Sequence, residues 1–249
     1  MHIAHCTLQA GWHGSFHTQE GAPILNTTVT HGFPDMAGLV AHGKAAGLET
    51  GWYFNNCNCL ESQFTSPEAI AKVYAGSIRA FAAYGFGGLK LDGCSQFRDT
   101  HKWFDLSQSI NSSGGGSGGG GGGGSSGGST QSSTRPVLVE DCHNMGGPTV
   151  LDNVTGELDC PMHLYRTGND ITPGSWESFI TNLMQMVPFL HHTPLKSKPH
   201  CWAYPDAVQT GSFPTFEEDR CNFGAWAVTS SPLILGTNLS NPKTLQRIW

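Results

Sequence analysis

The 249-residue sequence contains few charged residues, and what it lacks excludes several classes of protein. Only 13% of its residues are charged, and its 13 basic residues form no Lys/Arg cluster beside 19 acidic ones. Proteins that follow a phosphate backbone need such a cluster, so nucleic acid is not an expected partner. No apolar run approaches the ~20 residues of a membrane helix. Residues 1–6 also lack the basic and apolar regions of a signal peptide.

Cysteine, by contrast, is abundant, with eight residues at positions 6, 57, 59, 94, 142, 160, 201 and 221. N-x-S/T sequons stand at Asn26, Asn111, Asn153 and Asn238. Together these features favour an oxidising compartment, which would be secreted or lysosome-like or vacuole-like; chance sequons and buried thiols are the alternative. Cys57 and Cys59 lack C-x-x-C spacing and a matching Cys/His pair, so we expect a disulfide there rather than a metal ion.

Residues 112–133 are almost only Gly and Ser, a composition that cannot bury apolar surface, so we expect this segment to be disordered. On both sides of it the same order of elements continues: a short apolar run, a polar turn and a helical stretch. We therefore expect residues 1–249 to form a single domain that carries this segment as an insertion.

The pattern of apolar residues predicts strands that alternate with helices. Strands are expected at 48–55, 88–92, 136–140, 162–166, around Trp202 and at 232–235, and helices at 67–84, 100–110, 176–190 and 217–229. Such alternation predicts an α/β fold with a parallel sheet.

A (β/α)8 TIM barrel explains this pattern better than a doubly wound sheet, which needs a Gly-rich phosphate loop after its first strand. A barrel carries its chemistry at the carboxyl ends of the strands. Polar residues fall at those ends in this sequence: Tyr53, Asp92, Glu140, Arg166 and Asp206. The 112–133 insertion joins a helix to a strand, so we expect it on the opposite face of the barrel.

Two carboxylates can carry chemistry: Asp92 from this set, and Asp170. Strand alternation directs Lys90 and Asp92 to the inner face, where a nearby cation favours the ionised form that a nucleophile requires. An ordinary stabilising ion pair is the alternative. Asp170 follows Arg166 on a later loop, and two carboxylates about 5 Å apart across a sugar ring can perform double displacement. An Asx-turn or a helix N-cap is the alternative for Asp170.

Four ordered motifs carry a family resemblance: Lys-Leu-Asp-Gly-Cys at 90–94, Arg-Thr-Gly-Asn-Asp at 166–170, Trp-Ala-Tyr-Pro-Asp at 202–206 and Ser-Ser-Pro-Leu-Ile-Leu-Gly at 230–236. They resemble glycoside hydrolase family 27, the α-galactosidase or melibiase family. Residues 32–36, 47–48 and 226–227 extend the match over nearly all of the chain outside the Gly/Ser segment.

The resemblance implies a retaining exo-glycosidase for terminal α-D-galactosyl residues, without metal or other cofactor. It implies Asp92 as the nucleophile and Asp170 as the acid/base. It places substrate-binding or site-organising roles on Trp12, Tyr53, Lys90, Glu140, Arg166 and Asp206, although Trp12 could equally be core packing. It also suggests disulfides from Cys94 to Cys57 or Cys59 and from Cys142 to Cys160; a Cys201–Cys221 bridge is a guess.

The sequence departs from the family at Gln9 and Ala10, where members typically carry two aspartates that bind the galactose 4- and 6-hydroxyls. Ala10 cannot accept such a hydrogen bond, so the identity of the sugar substrate is left open. An α-N-acetylgalactosaminidase, a β-L-arabinopyranosidase and a catalytically weak carbohydrate-binding relative are the alternatives.

The ends depart from the family as well. The first recognisable strand carries Trp12 and matches the family's second barrel strand. We therefore expect an incomplete barrel without its first strand, the end of its last helix and the family's carboxyl-terminal β-sandwich domain. A non-functional fragment is a further alternative, and a homodimer is left open.

Overall fold

The structure is a computed structural model that describes residues 13–28, 32–54, 61–93, 95–112, 136–142, 148, 153–191, 193–194 and 196–248. Several predictions concern residues outside these ranges. They are residues 113–133 of the expected disordered segment, the substitutions at Gln9 and Ala10, the role of Trp12, and the disulfides of Cys57, Cys59 and Cys94. Ser112, which that segment was expected to include, is instead the last residue of a helix.

Five parallel strands form the main sheet in chain order: β3 (Gly51–Phe54), β4 (Gly88–Leu91), β5 (Leu138–Asp141), β6 (Leu164–Arg166) and β7 (Trp202–Tyr204). The helices are α1 (Met36–Ala45), α2 (Pro67–Tyr84), α3 (Thr100–Ser112), α4 (Trp176–Leu190), α5 (Phe216–Val228) and α6 (Pro242–Ile248), with a 3-10 turn at Glu61–Gln63. Parallel strands that pair in chain order, with helices between them, are typical of a barrel wall. This arrangement confirms the predicted α/β class.

Two segments differ from the prediction. The residues after Trp12 form β1 (His13–His17), which pairs antiparallel with β2 (Pro23–Leu25) and does not belong to the five-stranded sheet. The strand expected at 232–235 is reduced to one parallel bridge between Val208 and Leu235. Pro232 offers no N–H group for a sheet, which shortens any strand that begins there.

Helix α2 begins and ends where its sequence predicts. The Ser66 hydroxyl accepts a hydrogen bond from the Ala69 N–H, and Pro67 occupies the first helical turn. Gly85 ends the helix in the left-handed conformation, with φ of 78°. No helix among the described residues combines the length and the apolarity needed to cross a membrane.

The apolar core lies between the sheet and the helices. Leu89 and Leu91 are completely buried, as the alternation of β4 predicts. They belong to a cluster with Trp52, Phe54, Phe81, Trp103 and Val139, and a second cluster gathers Ile171, Phe179, Val208, Phe213 and Trp226. Because these side chains occupy the helix side of the sheet, its other face is available to polar residues.

The disulfide predictions are wrong for the described cysteines. Cys160 pairs with Cys201, with their Cα atoms 6.1 Å apart, while Cys142 is buried and free and Cys221 is exposed and free. Parallel strands explain the pairing. Cys160 and Cys201 each precede a strand, and those strands, β6 and β7, are neighbours. Cys142 follows the carboxyl end of β5, whereas Cys160 precedes the amino end of β6, so the two cysteines lie at opposite ends of the parallel strands.

We predict that peptide mapping without reduction will recover a peptide pair joined through Cys160 and Cys201. Cleavage after Glu157 separates Cys142 from Cys160, so the two pairings give different masses. Cys142 should resist alkylation until the protein unfolds, because only 3% of it is exposed, whereas Cys221 should react in the folded protein. A peptide pair joined through Cys142 and Cys160 would contradict the disulfide observed at the amino ends of β6 and β7.

Candidate active site

Three polar residues form a row across neighbouring strands of the sheet. Tyr53 on β3 is the register partner of Lys90 on β4, and Lys90 is the partner of Glu140 on β5. Leu89 and Val139, their sequence neighbours, are completely buried on the helix side. Since successive residues of a strand point to opposite faces, the row points to the inner face of the sheet.

Glu140 and Lys90 form an ion pair inside the protein. The Lys90 Nζ atom lies 3.3 Å from Glu140 Oε1. The Tyr204 hydroxyl donates a hydrogen bond to the same carboxylate oxygen. Burial alone would lower the pKa of Lys90, but the attraction of Glu140 and other acidic neighbours outweighs it and raises that pKa. Lys90 is therefore a cation at any physiological pH.

Glu140 points inward from β5, as the sequence predicts, and is completely buried. Its Oε1 atom contacts both Lys90 and Tyr204. A buried carboxylate needs such partners, since an unpaired charge away from water is very costly. Of the two roles that the resemblance allows, contact with the sugar or organisation of the site, the geometry fits the second.

Asp92 stands immediately after β4 and is held by two donors. The Tyr53 hydroxyl donates to Asp92 Oδ2, and the Gly93 N–H donates to Oδ1 at 2.7 Å. The Lys90 Nζ atom lies 5.5 Å from the centre of the Tyr53 ring. Burial, followed by the neighbouring acidic groups, raises the pKa of Tyr53, so its hydroxyl stays protonated and remains a donor. The carboxylate is thereby fixed in one orientation.

A second charged group forms where β6 and β7 end. The Arg166 guanidinium makes an ion pair with Asp170 and lies 3.8 Å from Asp206 Oδ2. Asp206 in turn accepts hydrogen bonds from the N–H groups of Ile171 and Ala207, both at 2.8 Å. Burial lowers the pKa of Arg166, but the acidic neighbours outweigh that effect and raise it. One cation therefore faces two carboxylates.

Asp170 is the most accessible of these groups, because 79% of its side chain is exposed. It does not cap helix α4, whose N-cap is Ser175, so the helix N-cap alternative is wrong. The loop that carries it is anchored by buried Asn182, whose amide donates to the carbonyl oxygens of Asn169 at 2.7 Å and Pro205 at 3.0 Å. An anchored loop therefore presents an exposed carboxyl group.

Two residues of this site, Cys142 and Tyr204, were not predicted from the sequence. Cys142 follows β5 and interacts electrostatically with Lys90, Asp92 and Arg166. Burial is the largest cause that raises its pKa to about 12, and the group is a neutral thiol at physiological pH. Tyr204 lies two residues before Asp206 on β7, and strand alternation could have identified it as inward-facing.

The described residues contain no group of three or more His, Cys, Asp or Glu side chains placed to hold a metal ion. The charges of the site are instead arranged as side-chain ion pairs. Its cations are Lys90 and Arg166, and its carboxylates are Glu140, Asp92, Asp170 and Asp206. Such a site can position a carboxylate for attack on a carbon centre and offer a second for proton transfer.

No family model matches the sequence. Alpha-galactosidase A of Cellvibrio japonicus is 37% identical to it over 246 residues, an alignment that covers 92% of this chain and 51% of the relative. A probable alpha-galactosidase D of Aspergillus terreus is 30% identical over 168 residues, covering 67% of this chain and 23% of the relative. The chain belongs to glycoside hydrolase family 27. It spans about half the length of the first relative.

Solved structures agree with this assignment at the level of the fold. A β-L-arabinopyranosidase of family 27 from Geobacillus stearothermophilus, crystallised with arabinose, matches with a TM-score of 0.59 at 14% identity. The match covers 96% of this chain and 63% of that one. The TIM-barrel class predicted for this family 27 chain is confirmed.

Proposed function

We propose that the chain is the catalytic barrel of a retaining exo-glycosidase that removes terminal α-D-galactosyl residues from oligosaccharides or glycoconjugates. The observation that carries the proposal is the contrast between two carboxylates at strand ends. Asp92 is fixed by Tyr53 and Gly93, whereas Asp170 is largely exposed beside Arg166. Double displacement needs one carboxylate of each kind.

Asp92 acts as the nucleophile in this mechanism. Its carboxylate attacks the anomeric carbon as the bond to the leaving oxygen breaks, which gives a covalent glycosyl–enzyme ester. The two hydrogen bonds to its oxygens support this role, because they hold the attacking atom in place before the sugar arrives. Lys90 supplies a positive charge beside the ring of Tyr53, whose hydroxyl donates to this carboxylate.

Asp170 acts as the acid and then as the base. It donates a proton to the leaving oxygen in the first step, and in the second it removes a proton from the water that attacks the ester. Its exposure lets the carboxyl group exchange protons with solvent between the steps. Arg166 faces Asp170 and Asp206 at once, so its charge is shared between two partners.

A β-L-arabinopyranosidase is the second candidate. The family resemblance implies that the position of Ala10 normally binds a galactose hydroxyl, and an alanine side chain has no polar atom for that purpose. A sugar that lacks one of these hydroxyls loses nothing at such a site, whereas galactose loses a hydrogen bond. The related β-L-arabinopyranosidase has the same fold.

An oxidising, secretory compartment fits this function best. Support comes from the Cys160–Cys201 disulfide, a bond that reducing compartments do not maintain. Two of the sequons lie on exposed turns, at Asn153 and Asn238, where a glycan would meet no packed neighbour. The substrate partner is then an extracellular or vacuolar carbohydrate.

The function is tested by incubating the full chain with three nitrophenyl glycosides: the α-D-galactoside, the α-N-acetylgalactosaminide and the β-L-arabinopyranoside. We expect release of nitrophenol fastest from the α-D-galactoside. The Asp92→Asn variant is the background control, because it keeps the shape of the site and removes the nucleophile. Release no faster than this background from all three substrates would contradict the proposal.

The two carboxylates are distinguished by a pre-steady-state burst of nitrophenol from an activated aryl glycoside. Asp92→Asn should abolish the burst while sugar binding persists, because every substrate needs the nucleophile. Asp170→Asn should keep the burst and slow the later turnover, because a good leaving group departs without a proton.

Asp105→Asn, an exposed carboxylate on α3, is the matched control and should behave as the wild type. A burst that survives Asp92→Asn, or one that disappears with Asp170→Asn, would mean that the two roles are assigned wrongly.

A further inference from the structure

We propose that Glu140 is a positioning residue. It holds the Lys90 ammonium group beside Tyr53 and so keeps the Tyr53 hydroxyl in place as a donor to Asp92. The inference rests on the proposed function, because it assigns Glu140 a part in the same reaction. It gives a specific form to the site-organising role that the family resemblance leaves open, because the Glu140 carboxylate is completely buried.

The Glu140 carboxylate contacts two residues through a single oxygen atom. One of its oxygens, Oε1, both accepts the hydrogen bond of Tyr204 and lies 3.3 Å from Lys90 Nζ. The three residues stand on β5, β7 and β4, so the carboxylate joins strands that are not all neighbours in the sheet. Glu140 thus connects β4, β5 and β7 on the inner face of the sheet.

Tyr53 connects Lys90 to the nucleophile Asp92. Lys90 Nζ lies 5.5 Å from the centre of the Tyr53 ring, on the strand next to its own. The hydroxyl of the same ring donates to Asp92. An ammonium group near a ring face is attracted to it electrostatically, so the positions of Lys90 and Tyr53 depend on each other. A shift of Lys90 would therefore disturb the donor that orients Asp92.

The charge of Lys90 depends on burial and on the charged groups around it. Glu140, Cys142 and Asp206 raise its pKa, and Arg166 and burial lower it, with burial the largest single cause. Tyr53 and Asp92 also lie on this side of the sheet. Without the Glu140 carboxylate, the lowering of the pKa by burial and Arg166 would be opposed only by the weaker effects of Cys142 and Asp206. The pKa of Lys90 would then fall, and the ammonium group would lose its proton at a lower pH.

The test compares kcat, KM and the titration of the Lys90 ammonium group for the wild type and Glu140→Gln. Glutamine keeps the length of the side chain and an acceptor for Tyr204 but removes the charge. We expect the pH at which Lys90 loses its proton to move down by at least about one unit, equivalent to a tenfold change in proton affinity. A fall in kcat should accompany it, with a smaller change in KM, because the residue does not touch the sugar.

Two further variants separate positioning from simple stability. Tyr204→Phe removes the hydrogen bond and keeps the ion pair, so the titration of Lys90 should stay in place even if the variant is less stable. Glu140→Asp keeps the charge and should restore part of the shift. A titration of Lys90 that moves equally in Tyr204→Phe and Glu140→Gln would show that loss of packing is the cause, and would overturn the proposal.

A direct titration of Lys90 makes the test independent of catalysis. The ¹³Cε signal of Lys90 in lysine-labelled protein, assigned by its absence in Lys90→Arg, reports the ammonium group without a substrate. In the wild type it should keep the chemical shift of a charged lysine through pH 10.5, the ordinary pKa of the group. Titration below that value would overturn the inference, whereas a failure to hydrolyse any glycoside would count against the proposed function alone.

Discussion

The buried ion pair between Lys90 and Glu140 is the constraint on which the site depends. Two opposite charges inside a protein are tolerated only when they pair and their remaining polar atoms find partners. Here the pair lies in the row that begins with Tyr53, and Tyr204 completes it from β7. The inner face of the sheet is thus held by polar contacts, while Leu89 and its neighbours fill the opposite face.

This arrangement gives the two catalytic candidates different surroundings. Asp92 follows the strand of Lys90 directly and receives hydrogen bonds on both oxygens. Asp170 stands on a loop anchored by Asn182, in contact with solvent. Separation of roles between two similar carboxyl groups requires such a difference. Cys142, which interacts with Lys90, Asp92 and Arg166, is a neutral thiol at physiological pH.

Sequence alone was sufficient where the local pattern decides the outcome. The alternation of β4 correctly predicted buried Leu89 and Leu91, and the Ser66 cap correctly predicted the start of α2. Prediction from sequence failed where the structure depends on contacts between strands that are distant in the chain. The spacing of cysteines does not say which end of a parallel strand each one occupies, so the Cys160–Cys201 bridge was missed. The burial of Glu140 likewise depends on Tyr204, 64 residues further along the chain.

The stereochemistry of the first product tests the double-displacement mechanism most directly. Two successive displacements at the anomeric carbon return it to its original configuration, whereas a single attack by water inverts it. Proton NMR of the reaction with nitrophenyl α-D-galactoside, recorded before mutarotation, distinguishes these outcomes. The account predicts that α-galactose accumulates first and the β-anomer follows slowly. Initial release of β-galactose would contradict Asp92 as a nucleophile.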